Sequence, residues 1–286
     1  MTLQTYLYFP GCRIQRFLPQ YGTSTRTVMA ALGIALDTTE LNCCGYPVRH
    51  ENFHAGMVAG ARNLAIAAAK GLPLMTPCKC CYGSLKHTDF WMRRDGRLRR
   101  HVNTLLAAEG LYWTEDIVIH HLLTVLDEVV GADRVKSRIV HPLNQLPVAA
   151  HYGCHALRPG NVTRFDNPLS PTIFERWVAL TGAKAVDWSL RLECCGHPLW
   201  RKNNRISLSL MNTKLADARQ AGARLVTTAC TYCQLQFDTV QADHPPQRGP
   251  AVPAVLYTQL LGTAMGLPDE VLGLKKNRIE WRPERL

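Results

Sequence analysis

A chain of 286 residues that is 47% hydrophobic and 19% charged carries enough apolar mass for one large or two ordinary packed domains, which excludes a disordered chain. No apolar run approaches the ~18 residues of a membrane span, and the opening Met1-Thr2-Leu3-Gln4-Thr5 lacks the basic and apolar regions of a secretory signal, so a cytoplasmic protein with reduced thiols is expected. The net charge of +11, with arginine outnumbering lysine 24 to 9, suits anionic partners, but the densest basic run, Arg93 to His101, has no nucleic-acid motif and no interleaved aromatics, so no nucleic-acid partner is expected.

Tyr6-Leu7-Tyr8-Phe9 predicts a buried strand stopped by Pro10-Gly11, with Cys12 at its carboxyl end. A helix over Tyr21 to Leu32 closes at Gly33, a strand follows from Ile34 to Thr39, and Cys43-Cys44-Gly45 lies in the loop beyond. Asn52 is placed to cap a helix that reaches Lys70, with Gly71 as its stop. Leu72 to Thr76 predicts a third strand, closed by Pro77-Cys78, and a helix is expected from Cys81 to Trp91. The middle, Leu98 to Leu146, reads as mainly helical, with Ile117 to Val130 at helical spacing up to Gly131. Pro142 and Pro147 mark a boundary, so domains are expected at 1–146 and 147–286.

The rhythm then restarts. Val148 to Tyr152 predicts a strand leading to Cys154, Pro171 to Leu180 a helix, and Ala185 to Trp188 a strand before Cys194-Cys195. Ile206 to Ala221 predicts a helix and Leu225 to Thr228 a strand leading to Cys230. A polar loop, Asp243 to Pro250, precedes a final helix over Val252 to Met265 and a basic tail. Alternating strands and helices imply an α/β fold with parallel sheets, and the cysteines fall at the carboxyl ends of the strands, where such sheets place ligands.

The cysteines form one design written twice: Cys12, Cys43, Cys44, Cys78, Cys81, and then Cys154, Cys194, Cys195, Cys230, Cys233. The intervening stretches are 30 and 33 residues in the first copy and 39 and 34 in the second, and the centres read Cys-Cys-Gly-Tyr-Pro and Cys-Cys-Gly-His-Pro. Only Cys80 stands outside. Adjacent cysteines have Cα atoms about 3.8 Å apart, short of the roughly 4.4–6.8 Å of ordinary disulfides. Two neighbouring thiolates repel and call for a cation. Zinc takes four ligands and would leave one thiolate of five idle. A thioredoxin-type Cys-x-x-Cys gives three of the five no role. Soft thiolates suit an iron–sulfur cluster, yet the closely spaced ferredoxin run is missing, so any cluster is of an unusual kind.

The twin five-cysteine pattern resembles the CCG cysteine-rich domain, and two copies in a chain of this size resemble the B subunit of heterodisulfide reductase (the HdrB family), over roughly Tyr6 to Asp238. The resemblance implies two Rossmann-like CCG domains related by pseudo-two-fold symmetry, the first with a helical connector and the second with a C-terminal helix and tail. It implies one noncubane [4Fe-4S] cluster on Cys12, Cys43, Cys44, Cys78 and Cys81, and a second on Cys154, Cys194, Cys195, Cys230 and Cys233. A sulfur-containing substrate would then exchange electrons as disulfide or thiol between two facing clusters. No Gly-x-Gly-x-x-Gly follows a strand, so no flavin or nicotinamide site is expected. Electrons are expected through a ferredoxin-like HdrC-type partner and a flavin-bearing HdrA-type partner.

The arginine-rich composition looks bacterial, and the resemblance then implies the bacterial sulfur-oxidising type (sHdr), which works with a lipoate-binding protein. The alternatives are methanogen-type reduction of the coenzyme M–coenzyme B disulfide, a lactate-utilisation CCG protein, and a zinc-binding scaffold. His155, beside Cys154, and His197, after the second Cys-Cys-Gly, are candidates to donate a proton or a hydrogen bond to sulfur. Cys80 is a candidate to face the substrate, and Lys79 and Arg49 to hold an anionic one.

Overall fold

Each half of the chain folds as a four-stranded, wholly parallel sheet flanked by helices. The computed structural model describes residues 4–246 and 249–282; the expected features at residues 1–3, in the middle of the polar loop and at the end of the basic tail lie outside the described residues. The first sheet comprises β1 (Gln4–Tyr8), β2 (Ile34–Asp37), β3 (Leu74–Thr76) and β4 (Ile119–His121), in the order β2-β1-β3-β4. The second comprises β5 (Pro147–His151), β6 (Lys184–Val186), β7 (Leu225–Thr228) and β8 (Ala254–Leu256), in the order β6-β5-β7-β8. The two orders are the same, so the duplication in sequence is a duplication in fold.

In both sheets the chain leaves the first strand for one neighbour and then crosses to the other side. That reversal opens a crevice at the carboxyl ends of the two central strands. Cys12 and Cys78 follow β1 and β3, and Cys154 and Cys230 follow β5 and β7. The strands are short and buried, and helices cover both faces, as a parallel sheet requires.

Local chemistry explains the long helices. Asn52 caps the helix Phe53–Lys70 by accepting from the Ala55 N–H at 2.9 Å, and Gly71 ends it at φ 63°. Asn203 caps Asn204–Gln220 in the same way, through the Ile206 N–H at 3.2 Å.

Two expectations need correction. The spacing of Ile117 to Val130 predicts one helix, but Ile119–His121 is strand β4, and the helix starts only at Leu122. Val252 to Met265 likewise divides into β8 and the helix Tyr257–Ala264. In both places a three-residue strand runs directly into a buried helix, so one continuous apolar run hides the junction. Cys12 also opens a short helix, Cys12–Phe17, and a second, Pro19–Ala31, follows it.

The halves share one core. A single apolar cluster runs from Tyr6 and Leu7 through Leu85 and Val148 to Leu260. Tyr257–Ala264 of the second half packs on Pro19–Ala31 of the first, where Ser24 and Thr258 hydroxyls meet at 2.7 Å. Reciprocally, Leu122–Val125 packs on Ile173–Leu180. This exchange is what a pseudo-two-fold axis between the halves produces. No helix among the described residues is long and apolar enough to cross a membrane.

Candidate metal centre

The glycine of each Cys-Cys-Gly fixes the loop. Gly45 has φ 83° and Gly196 φ 88°, the left-handed region. Each also lies directly on a helix: a Cβ on Gly45 would sit 2.3 Å from the Gly56 carbonyl oxygen, and one on Gly196 would sit 2.7 Å from that of Ser207. Pro47 and Pro198 then start a short helical turn. The loop therefore turns sharply against the helix and presents both cysteines on one side.

All eleven cysteines are free thiols, and the ten of the repeat come together as two strings of five. In the first, Cys12 Sγ lies 3.7 Å from Cys43 Sγ, and Cys44, Cys81 and Cys78 continue the hydrogen-bonded line. In the second, Cys154, Cys194, Cys195, Cys233 and Cys230 repeat it. The strings meet end to end, with Cys78 Sγ and Cys230 Sγ 4.0 Å apart. Among the described residues no group of His, Cys, Asp or Glu side chains is arranged to hold a metal ion by itself. The sulfurs are strung along a rim.

Each string stabilises a thiolate in its Cys-Cys pair. Donation from Cys12 and then Cys44 pulls the Cys43 thiol down to about 3, and donation from Cys154, Cys195 and the Gly196 N–H pulls Cys194 down to about 2. The donors move the other way: Cys12 and Cys154 are raised because their protons are shared with those thiolates. Cys78 is buried, yet donation from Cys230, Cys81 and Thr231 holds it well below the ordinary thiol range.

Two buried lysines flank the second string. Lys79 lies over Phe174 and Tyr152, 4.0 and 4.7 Å from the ring centres, and donates to the His151 carbonyl at 3.4 Å. Lys214 lies 4.9 Å from the Trp188 ring and donates to the Leu190 carbonyl. Burial pulls both down to about 8, so both remain cations at neutral pH.

An outer cleft of ≈610 Å³ lies beside the Cys-Cys-Gly loops of both halves, lined by Arg13, Tyr46, His197, Pro198, Arg201 and Tyr232 among others. Tyr46 and Tyr232 meet edge to face at 5.6 Å. Tyr232 and Pro198 also line a small inner cavity against Cys154, Cys194, Cys195, Cys230 and Cys233, so they form the partition between cleft and sulfur. The Arg13 guanidinium stacks 4.1 Å over the Tyr232 ring.

His197 faces this cleft. Its Nδ1 pairs with Gln236 Oε1 at 3.0 Å, and Gln236 is oriented by donating to Ser207 Oγ at 3.1 Å. That chain places the proton on Nδ1 and leaves Nε2 as an acceptor, 3.5 Å from Arg13 Nη1. His155 Nδ1 lies 3.2 Å from Cys154 Sγ, and its ring packs on Tyr46 at 4.7 Å. Cys80 is buried near the junction, where burial and then the Cys78 charge raise its thiol well above its ordinary value. Arg49 stacks on Tyr46, 5.3 Å from the ring centre. Lys79, expected in the cleft, is instead 1% exposed and borders the inner cavity, because its helix starts where the two halves are in contact.

Sequence reasoning misses Arg13, Tyr46, Tyr232, His151 and Lys214. Tyr46 and Tyr232 are legible in principle, since both stand beside motif cysteines. Lys214 lies in mid-helix and shows its importance only once the two halves are superposed.

Known proteins resemble this chain in sequence and fold. The CCG family, described as "Cysteine-rich domain", matches residues 6–86 and 148–238. The chain is 30% identical over 279 residues to the B subunit of the ferredoxin/F420H2-dependent CoB-CoM heterodisulfide reductase of Methanosarcina acetivorans, covering 95% of this chain and 93% of that protein. It is 32% identical over 283 residues to the 8-methylmenaquinol:fumarate reductase membrane anchor subunit of Wolinella succinogenes, covering 96% and 97%. Among solved structures, a hypothetical protein from Helicobacter pylori shares the fold with a TM-score of 0.71 at 16% identity; the alignment covers 99% of this chain and spans about half, 53%, of that one.

Proposed function

The chain belongs to the HdrB family of heterodisulfide reductases, built on the CCG cysteine-rich domain, and from that premise we propose that it is the catalytic iron–sulfur subunit of a heterodisulfide-reductase-like complex. The reaction is disulfide plus two electrons and two protons to two thiols, or its reverse. We place it in cytoplasmic sulfur oxidation, in the thiol-oxidising direction, with a lipoate-bearing carrier protein as the thiol donor. A ferredoxin-like HdrC-type partner and a flavin-bearing HdrA-type partner would carry the two electrons away.

The observation that carries the reading is the meeting of the two sulfur strings at Cys78 and Cys230, 4.0 Å apart, with Cys230 on the inner cavity that shares Tyr232 and Pro198 with the cleft. The donor set fits the cofactor: ten free thiols, soft donors in two equal sets, with buried cations near them to offset thiolate charge. Cys12, Cys43, Cys44, Cys78 and Cys81 would hold one noncubane [4Fe-4S] cluster, and Cys154, Cys194, Cys195, Cys230 and Cys233 the other. When bound, the clusters accept or supply single electrons.

The protein's own groups do the rest. Tyr46, Tyr232 and Pro198 wall the approach and exclude water. Arg13, Arg201 and Lys202 give the cleft a cationic lining that draws an anionic substrate or an acidic carrier. His197 Nε2, the acceptor in its network, accepts a hydrogen bond from an incoming thiol and orients it; burial, and then Arg13, hold its pKa down at about 4, so the ring stays neutral. His155 Nδ1 holds Cys154 in place.

Anaerobic purification with metal analysis is the test. About eight irons per chain, as two four-iron clusters require, supports the reading. Zinc without iron overturns it in favour of a scaffold. Cys44→Ala and Cys195→Ala should each remove one cluster's signal and leave the other. A second reading rests on the 32% identity to the Wolinella protein, which is part of a quinol:fumarate reductase. Oxidation of a dihydrolipoyl carrier, reduction of the coenzyme M–coenzyme B disulfide, and coupling to fumarate separate the two readings and the methanogen-type alternative. Neighbouring lactate-utilisation genes would favour that fourth assignment.

A further inference from the structure

The internal repeat lets each sulfur string serve as a control for the other, and their surroundings differ at three matched positions. Three residues before the first cysteine stand Phe9 in one half and His151 in the other. Eleven residues beyond the capping asparagines Asn52 and Asn203 stand Asn63 and Lys214. Directly after Cys78 and Cys230 stand Lys79 and Thr231.

The structure puts these differences beside the sulfurs. At Gly11, the position of a Cβ is bordered by the Phe9 ring at 3.4 Å and Cys81 Sγ at 2.8 Å. At Gly153 the matching space is bordered by His151 Nε2 at 3.3 Å and Cys233 Sγ at 3.5 Å. His151 is 1% exposed, and neither ring nitrogen has a hydrogen-bond partner. An imidazole buried with both nitrogens unmet is costly unless something in that cavity accepts its proton. Asn63 is occupied with backbone, accepting from the Asn42 N–H at 3.1 Å and donating to the Cys43 carbonyl at 3.3 Å. Lys214 puts a buried cation in the same place, 2% exposed. Lys79 crosses into the second half and lies by Cys230 and Cys233, while Thr231 crosses the other way and offers Cys78 a neutral hydroxyl at 3.2 Å. Near the first string Arg13 is a cation that lines the open outer cleft, where solvent and salt screen it.

We propose that the two sulfur sites are electrostatically unequal, and that Lys79, Lys214 and His151 make the second, on Cys154, Cys194, Cys195, Cys230 and Cys233, the higher-potential one. This rests on the iron–sulfur reading of both sites. A cluster gains one negative charge on reduction. Buried cations stabilise that charge, and so does an imidazole whose ring nitrogens have no other partner and which borders the same space as Cys233; net charge and hydrogen bonding are what set such potentials. The first electron delivered by an external reductant therefore rests on the second site, with no bond made or broken. The three residues are positioning residues, since they act through the sulfur ligands.

The test is a spectroscopically monitored redox titration with dithionite of the full chain purified anaerobically, with iron content measured on every sample. Wild type should show two midpoints. Lys214→Gln keeps a hydrogen-bond donor for Leu190 and removes only the charge. It should lower the higher midpoint, by about a tenfold change in the reduced-to-oxidised ratio at fixed potential, or 59 mV for one electron. The lower midpoint should stay in place, and Lys214→Arg should restore the separation. Cys195→Ala, which empties the second site, identifies which midpoint belongs to it. His151→Phe and Lys79→Thr give the second string the neutral neighbours that the first string has and should narrow the gap further. A full iron complement with Lys214→Gln leaving both midpoints unmoved overturns the inference, as does loss of the lower midpoint in Cys195→Ala. A chain that holds no iron overturns the parent reading, and the inference with it.

Discussion

His121, at the end of β4, places its Nε2 3.0 Å from the Pro77 carbonyl and 3.2 Å from the Ala229 carbonyl. Those residues stand immediately before Cys78 and Cys230, so one imidazole N–H spans the two loops that bring the sulfur strings together. The Leu123 N–H donates to Nδ1 at 3.1 Å and fixes the tautomer. A proton added at Nδ1 would face that N–H.

This arrangement makes the fold acid-sensitive. Burial, and secondly Lys79, depress the His121 pKa from 6.5 to about 3. The folded state thus keeps His121 neutral while the unfolded chain takes up a proton. The sign follows: stability is full above pH 6.5 and falls as the pH drops from there toward 3, by roughly 1.4 kcal/mol per unit for one such group. Urea unfolding between about pH 7.5 and 5, a range that brackets the ordinary histidine pKa, should show this loss, and His121→Asn should flatten the slope by about one proton. An unchanged slope would mean that His121 is accessible to protons in the folded protein.

The glycines of the two Cys-Cys-Gly motifs should be irreplaceable for a reason separate from metal. Gly45→Ala combines a left-handed backbone with a Cβ 2.3 Å from the Gly56 carbonyl oxygen. Strain and overlap together predict a loss of at least about 2 kcal/mol. Gly71→Ala has φ 63° but nothing within 4 Å of the added atom, so it should cost only about 1–2 kcal/mol. Equal losses in chemical denaturation would remove the close-approach argument.

The outer cleft predicts a binding phenotype. Arg13 lies on Tyr232 and beside His197 but outside the sulfur strings. Arg13→Gln should raise KM for an anionic disulfide or carrier roughly three- to ten-fold, about 0.7–1.4 kcal/mol, with a smaller change in kcat. Added salt should shrink the difference by screening the wild-type attraction. A salt-independent fall in kcat alone would place Arg13 in the chemistry.

The contact between Cys78 and Cys230 predicts that the strings are not independent at their inner ends. Cys154→Ala, at the outer end, should cut iron to about four per chain and leave the first site's spectrum unchanged. Cys230→Ala should also disturb the first site, because its sulfur lies 4.0 Å from Cys78. Identical spectra for the two variants would show that the sites do not sense each other.

Much of this is legible from the chain. Paired cysteines after short apolar strands reveal the repeat, the parallel sheets and the two sets of five. The capping asparagine Asn52 and the stop at Gly71 reveal the helix that backs the first loop. Strands β4 and β8 escape because three residues of strand merge into a buried helix without a break in hydrophobicity. Lys79 is misplaced because sequence proximity to Cys78 says nothing about which half its side chain enters. Arg13 and Tyr232 make a contact between residues more than two hundred positions apart, and nothing in the local sequence encodes it.

The crossing of Lys79 into the second half and of Thr231 into the first has a bearing on how such a chain can change over time. A duplicated domain is ordinarily free to drift, be lost or be exchanged, because each copy is complete. Here each copy has lent a side chain to its twin, and both hang on one histidine. Fragments divided near residue 146 would each lack a neighbour of their own sulfurs, so the unequal charge of the two halves is a property of the joined chain.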